Sequence, residues 1–333
     1  MELEIIDRVA FQIGSFPVYW YGIIIGAGAL IAVLLAFYET KRIGFDFDTF
    51  LNTILLAIPT ALLGGRLYYV AFHWDYYSQY PSKILAFRDG GIAIHGVILG
   101  SLLAGFIYAK IKGFSFVQVA EIAFPSVLLG QAIGRWGNFT NQEAFGGPVS
   151  LEFLENLHLP QFIINQMWID GSFHHPTFLY ESIWSIIGVI IILLIRYRNP
   201  IRGVVLSFYF IWYSIGRFFI EGLRTDSLAF DGPEWLSKLL EALWAPLGAF
   251  WEAGALTGGN IRSAQLFSLL AIILFVGYLI YISRGERSKL RYADHPYLGK
   301  SNSGKPDSGA NLTNRVDKSD STEEGDVEFE KED

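Results

Sequence analysis

Thirteen consecutive residues, Gly134 to Gly146, read Gly-Arg-Trp-Gly-Asn-Phe-Thr-Asn-Gln-Glu-Ala-Phe-Gly and follow directly on an apolar run. A cation and a carboxylate are costly to hold where a chain leaves lipid, and residues of this kind mark functional sites. Arg135, Asn138, Asn141 and Glu143 are therefore candidate site residues, and the glycines between them are expected to let a ligand approach the backbone. Further chemistry-bearing groups are Tyr21, Arg66, His95, the run His175 to Glu181, and Tyr213, Arg217, Glu221 and Arg224. The guanidinium fork grips phosphate oxygens in pairs. An imidazole takes or relays a proton near neutral pH. Several groups also have a structural reading. Arg66 could snorkel to headgroups, Arg217 and Glu221 stand at i, i+4 and suit an ion pair, and His175-Pro176 suits a helix start. His95, among glycines at a span entrance, has little structural purpose there, and the functional reading is favoured over the structural one.

Other chemistries are excluded by what is missing. The chain has no Cys, so it carries no disulfide, thiolate metal site or cysteine nucleophile of its own. It has no His-Glu-x-x-His pattern, and its six histidines show no ligand spacing beyond the adjacent His174-His175, so neither metal nor cofactor is expected. A Gly-x-Ser-x-Gly elbow is also absent, which argues against a serine esterase. What remains is a lipid phosphate held by cations, a histidine, and an acceptor brought by a second substrate. No nucleic-acid partner is expected.

The elements that position these groups are membrane spans. Of 333 residues, 52% are hydrophobic and 16% aromatic, with a mean hydropathy of +0.36, and the apolar residues come in blocks of bilayer length. The expected fold class is an all-α polytopic membrane protein with seven transmembrane helices, at 18–38, 50–71, 92–110, 116–135, 177–196, 203–222 and 264–283. No cleavable signal peptide is expected. Basic residues concentrate in one set of loops: Lys41 and Arg42, Lys110 and Lys112, Arg196, Arg198 and Arg202, and beyond the last span Arg284, Arg287, Lys289 and Arg291. The rule that such loops stay cytoplasmic puts the N-terminus outside and the C-terminus inside. The membrane domain is expected to run over 1–285, with outer-face segments at 137–176 and 223–263. Residues 233–244 look amphipathic and are expected on the outer surface or packed as a helix. Residues 286–333 are expected to be a mostly disordered acidic tail, so that a chain cut after Arg291 should still work.

With this topology the polar residues share one depth. Tyr21, Arg66, His95, Arg135, His175, Glu181, Tyr213, Arg217, Glu221, Arg224 and Gln265 all fall near the outer leaflet, whereas the inner half is poorer, with Glu121 the main exception. A polar cavity open to the outer leaflet accounts for the asymmetry.

These motifs resemble the bacterial prolipoprotein diacylglyceryl transferases over about residues 15–285. The family signature Gly-Arg-x-Gly-Asn-Phe-x-Asn-x-Glu-x-x-Gly is met at every fixed position by Gly134 to Gly146. Trp20-Tyr21-Gly22, the Gly90-Gly91 pair with His95-Gly96, and Tyr213, Arg217, Glu221 and Arg224 match further motifs. His175-Pro176-Thr177-Phe178-Leu179-Tyr180-Glu181 matches another, with Thr177 where the family has Ser. The acidic tail lies outside the resemblance, and the 225–262 insertion is longer in part. The resemblance implies transfer of the diacylglyceryl group of phosphatidylglycerol to the lipobox cysteine of a prolipoprotein signal peptide. A thioether forms, glycerol phosphate leaves, and the setting is the bacterial plasma (inner) membrane. It also implies that Arg135 and Arg217 bind the phosphate and leaving group, that His95 is the base or relay for the thiol, and that Tyr21, Asn138, Glu143 and Tyr213 shape the site. Arg66, Asn141, Glu221 and Arg224 join them as expected substrate-binding residues. Two other functions are open to the residues alone. An anionic-lipid transporter would need polar residues in the inner half of several helices, of which the chain supplies few, and no inverted repeat is visible. A different phospholipid-headgroup transferase would share the arginines but use a small soluble acceptor.

Overall fold

Helix ends in this chain carry their own stop and start signals. The first long helix, α1 (Trp20–Ile43), closes on Gly44 at φ 67°, in the left-handed region that glycine enters without penalty. The next, α2 (Phe47–Phe72), opens on Asp46, whose carboxylate accepts from the Thr49 N–H at 2.7 Å. A four-residue turn, α3 (Trp74–Tyr77), precedes α4 (Ile94–Lys112), and Ser115 caps α5 (Phe116–Asn141). Then come α6 (Leu151–Asn156), α7 (Gln161–Gln166), α8 (Thr177–Tyr197), α9 (Val204–Glu221), α10 (Glu234–Gly248) and α11 (Ser263–Ile282). The computed structural model describes residues 4–87 and 90–294. Among the described residues, α1, α2, α4, α5, α8, α9 and α11 are long and apolar enough to cross a bilayer, and the fold is that of a polytopic membrane protein.

The expected spans agree with these helices within three residues except at two ends, the first being that of α1, which was expected to stop at 38 and runs to Ile43. The fourth was expected to stop at 135, but α5 continues to Asn141 and ends only where Gln142 and Ala144 turn left-handed at φ 54° and 57°. Arg135, Asn138 and Asn141 therefore stand on a rigid helix rather than a loop. The structure also contains short strands that an all-α reading omits. β1 (Val9–Ile13) pairs with β2 (Phe16–Tyr19); β3 (Pro148–Val149), β4 (Trp168–Ile169) and β5 (Ser172–His174) form a three-stranded sheet in the order β3-β5-β4; β6 (Ala229–Phe230) pairs with β7 (Ile261–Arg262). These strands are too short to show a period-2 signal. They lie at the bundle end where α1 begins.

Small residues let the spans approach, as is usual where lipid leaves no hydrophobic drive between helices. On α5, a Cβ added at Gly134 would stand 3.3 Å from Ile25, and one at Gly137 3.0 Å from the Tyr21 ring. This corrects the expectation that these two glycines admit a ligand: both face α1. Gly64 and Gly96 bring α2 and α4 together, since a Cβ on either would lie within 2.5 Å of the other's carbonyl oxygen. Between α8 and α9 the device is reciprocal. Trp184 Nε1 donates to the Trp212 carbonyl at 2.8 Å, Trp212 Nε1 donates to the Trp184 carbonyl at 2.9 Å, and the rings stack 4.2 Å apart. Each ring covers the glycine one turn beyond the other tryptophan, Gly188 or Gly216, where a Cβ would come within 2.4 Å.

The other end of the bundle holds a second polar layer. Glu121, the exception noted above, reaches from α5 and accepts from the backbone N–H groups of Gly203 and Val205 at 2.8 and 2.9 Å, capping α9 in trans. Glu39 on α1 is fully buried, paired with Arg42 at 2.6 Å and with Arg196 of α8 at 3.4 Å, and it accepts from the Tyr292 hydroxyl. Gln118 and Arg202 donate to the Asp294 carbonyl, and Tyr292 is fully buried. The packed body thus runs through Asp294, past the boundary expected at 285. The tail from 295 lies outside the described residues.

A chain ending at Arg291 should be less stable than one ending at Asp294 by about 3–5 kcal/mol, the range for losing a large buried side chain. Monomer remaining after heating in detergent, read by size exclusion, measures this, and equal midpoints for the two chains would contradict it.

Candidate active site

The site is built where α5, α8 and α9 converge at the end of the bundle where α1 begins. Thr177 opens α8 with its hydroxyl donating to the Ala144 carbonyl, and this places Glu181 one turn into the helix. Arg135 of α5 and Arg217 of α9 approach Glu181 from either side. Arg135 Nε contacts one carboxylate oxygen and Arg217 Nη1 the other, at 3.2 Å. Arg217 Nη2 also binds Glu221 at 2.6 Å, the i, i+4 pair expected from the sequence. Glu221 lies 4.0 Å from Arg224, which forks onto Asp226 with bonds of 2.9 and 2.7 Å. Charges alternate along this chain of six, three guanidinium groups against three carboxylates. The three arginine side chains keep 20%, 18% and 12% of their surface, enough for an anion to reach their edges.

The signature residues surround this node. Asn138 Oδ1 accepts from Arg135 Nη1 at 3.4 Å, and its carbonyl accepts from the Glu143 N–H at 3.0 Å. Asn141 Nδ2 donates to Glu143 Oε1 at 3.1 Å. Tyr21, partly exposed on α1, lies over Gly137 between Arg135 and Asn138. The end of the signature is pinned by backbone bonds: Gly146 N–H to the His175 carbonyl, Gly147 N–H to the Leu223 carbonyl, and His175 N–H to the Gly147 carbonyl, all at 3.0–3.1 Å. Here the chain does need a glycine, because a Cβ on Gly146 would stand 2.7 Å from the His175 side chain.

His175 is a wall of the site. Its ring packs on Trp251, which stacks on Tyr180 at 5.1 Å, and its Nδ1 is 3.3 Å from the Tyr180 hydroxyl. Burial first, and then the neighbouring His174, push its pKa down to about 4, so it is neutral at neutral pH. For Asp226, burial alone would raise the carboxyl, but the Arg224 hydrogen bonds and charge outweigh it and hold it below the usual carboxylate range.

Two expected site residues lie apart from the node. Arg66 is 1% exposed, and its donors go to the carbonyls of Ile84, Gly90, Gly91 and Lys83. Instead of snorkelling or reaching the node, it fastens the loop that leads into α4. His95, the second residue of α4, is exposed and stacks on Tyr68 of α2 at 5.8 Å, with its ring 6.0 Å from that of Phe267 on α11. Two residues before Phe267, Gln265 donates to the Phe218 carbonyl next to Arg217. His95 therefore belongs to the same end of the bundle, although among the described residues it makes no hydrogen bond to the node. Tyr213 lies one turn inward of Arg217 on α9. Glu181, placed near the outer leaflet by the sequence but not named there as a catalytic or substrate-binding residue, is the centre of the site. Asp226 was not foreseen; its only sequence signal is its place two residues after Arg224.

Residues 8–281 match the family model described as prolipoprotein diacylglyceryl transferase. The chain belongs to this family. It is 48% identical over 293 residues to the phosphatidylglycerol–prolipoprotein diacylglyceryl transferase of Bacillus mycoides (strain KBAB4), covering 88% of this chain and 96% of that protein. To the enzyme of the same name from Bacillus anthracis it is 57% identical over 290 residues, covering 87% of this chain and 97% of that protein. The residues gathered around Glu181 all lie within the matched range.

Removing the shared carboxylate leaves two partly buried guanidinium groups facing each other. Glu181→Ala should cost about 3 kcal/mol or more of stability. The double variant Arg135→Ala, Glu181→Ala should lose less than the two single losses added together. Thermal denaturation in detergent checks both, and additive losses would show that the node is not coupled.

Proposed function

We propose that this chain transfers the diacylglyceryl group of phosphatidylglycerol to the thiol of a prolipoprotein's lipobox cysteine, the first step of lipoprotein maturation. The observation that carries the mechanism is the meeting of Arg135 and Arg217 on one carboxylate at one end of an apolar bundle. Both retain exposed edges for the lipid phosphate. The six charges already balance, so an arriving phosphate adds one negative charge and binds by competing with Glu181 and Glu221 for guanidinium donors.

The step breaks the bond between glycerol carbon 3 and its phosphate oxygen and forms a carbon–sulfur bond. The electron pair stays on the departing glycerol phosphate, and the thiol proton goes to His95. A free thiol has a pKa of about 8.5, so at neutral pH it needs either a base or a cationic neighbourhood. The arginines supply that neighbourhood and also stabilise charge on the leaving phosphate. Tyr21, Asn138, Asn141 and Glu143 line one side of this site and Tyr213, Glu221 and Arg224 the other, while Arg66 acts by holding the loop before His95. The absence of Cys from the chain fits a nucleophile that arrives on the substrate.

The site faces the outer leaflet of a bacterial plasma membrane, with the N-terminus outside and the C-terminus in the cytoplasm. The supporting observation is charge. The helix ends and loop at the far end of the bundle hold Lys41, Arg42, Lys110, Lys112, Arg196, Arg198 and Arg202.

Purified protein in detergent, incubated with phosphatidylglycerol and a lipobox peptide, should add a diacylglyceryl mass to the peptide cysteine. Arg135→Ala should lower that rate about 10²–10³-fold, as loss of one charge-stabilising donor does elsewhere, and near-normal transfer would refute the site. The Cys-free background makes the topology testable. Ser150→Cys should label from outside intact cells and Ser301→Cys should not, and the reverse pattern would invert the orientation.

A further inference from the structure

An amide stands within a membrane span with half of its bonding capacity unused. Gln131 lies one turn inward of Arg135 on α5. Its Nε2 donates to the Tyr209 hydroxyl at 3.3 Å, and its Oε1 is buried with no hydrogen-bond partner. Tyr209 is itself buried, packed on Phe124 at 4.6 Å and parallel to Tyr213 at 6.1 Å. Tyr213 stands one turn inward of Arg217, and among the described residues its hydroxyl has no hydrogen-bond partner. Each arginine that meets Glu181 thus has a polar side chain one turn deeper, where apolar packing would be the default. A buried polar atom left unpaired is unfavourable and requires a reason.

The amide can be wired in two ways. As it stands, its carbonyl is orphaned. Rotated by half a turn, it accepts from the Tyr209 hydroxyl and presents both N–H donors. A free donor pair one turn, about 5.4 Å, below the phosphate-binding arginines sits at the depth where a phospholipid carries its glycerol esters, beneath the phosphates. That layer offers carbonyl acceptors and no donors, the complement of a freed amide N–H.

We propose that Gln131, oriented by Tyr209, binds an ester carbonyl of the diacylglyceryl group. This rests on the transferase reading above and adds a second anchor to it. The arginines fix the phosphate while Gln131 fixes the acyl-bearing glycerol one turn below, so that carbon 3 is held between them for displacement. The anchor reads the ester and not the headgroup.

The test compares phosphatidylglycerol with its dialkyl-ether analogue, which keeps the headgroup and the reacting carbon–oxygen bond but lacks both ester carbonyls. Wild-type protein should transfer from the diester with a kcat/KM about fivefold higher, the value of one ordinary hydrogen bond. Gln131→Leu should bring the ratio close to one by lowering the rate on the diester alone. Tyr209→Phe, which keeps the ring and removes the orienting hydroxyl, should lower the ratio in the same direction. Equal rates on the two lipids in wild type would overturn the proposal. So would variants that slow both lipids alike and leave the ratio intact, since that is the mark of a purely structural Gln131–Tyr209 bond. Failure of wild type to transfer from the diester at all would instead overturn the transferase reading on which the proposal stands.

Discussion

A guanidinium group at the edge of a hydrocarbon layer needs an anion beside it, and for two of the three arginines in this site that anion is the same one. Glu181 of α8 is shared by Arg135 of α5 and Arg217 of α9, so one carboxylate ties three spans at one point. The rest of the bundle keeps that point in register. The paired tryptophans Trp184 and Trp212 lock α8 against α9 one turn inward of Glu181, and the glycines at 134 and 137 let α1 come close enough to lay Tyr21 across α5. Shifting any of these helices by a residue would separate Glu181 from one or both of its arginines. The same property supports the proposed transfer, because guanidinium groups already held by a carboxylate would need little reorganisation to hold a phosphate.

Polar groups at the opposite end answer the same physical demand in a different way. There Glu121 is satisfied mainly by backbone N–H groups at the start of α9, and Glu39 by Arg42, Arg196 and Tyr292. Glu39 and Glu121 are fully buried, and each is held by groups from other helices. The layer around Glu181 joins arginines to carboxylates in an unbroken alternation, whereas the opposite one also draws on backbone N–H groups and a tyrosine hydroxyl.

Much of this was legible in the sequence, for identifiable reasons. Apolar blocks of bilayer length have few alternatives to spanning helices, so the helices fell close to their expected positions. α5 outran its expected end because Thr140 and Asn141 are weak helix formers by propensity, while packing of Trp136 and Phe139 against Phe178 carries the helix onward. Spacing revealed Arg217 and Glu221 because i, i+4 is a helical contact. It did not reveal that Glu181 joins them across 36 positions, or that Asp226 takes the fork of Arg224. Arg66 was expected in the site because depth is readable from sequence and direction is not. Its guanidinium turns into a loop whose carbonyls come within reach only after folding. The signature glycines carried the least direct signal, since a glycine that admits a ligand and one that admits a neighbouring helix look alike along a chain.

The bond from Tyr292 to Glu39 spans 253 positions. While the ribosome is still adding the last span, Glu39 has its arginines but lacks the hydroxyl, and the carbonyls that Gln118 and Arg202 will meet have not yet been made. All seven helices can be inserted before this end of the protein closes. Completion of the body is therefore expected as a late, post-translational event, and truncated nascent chains should be open to proteases at that seam although every helix is already in the membrane.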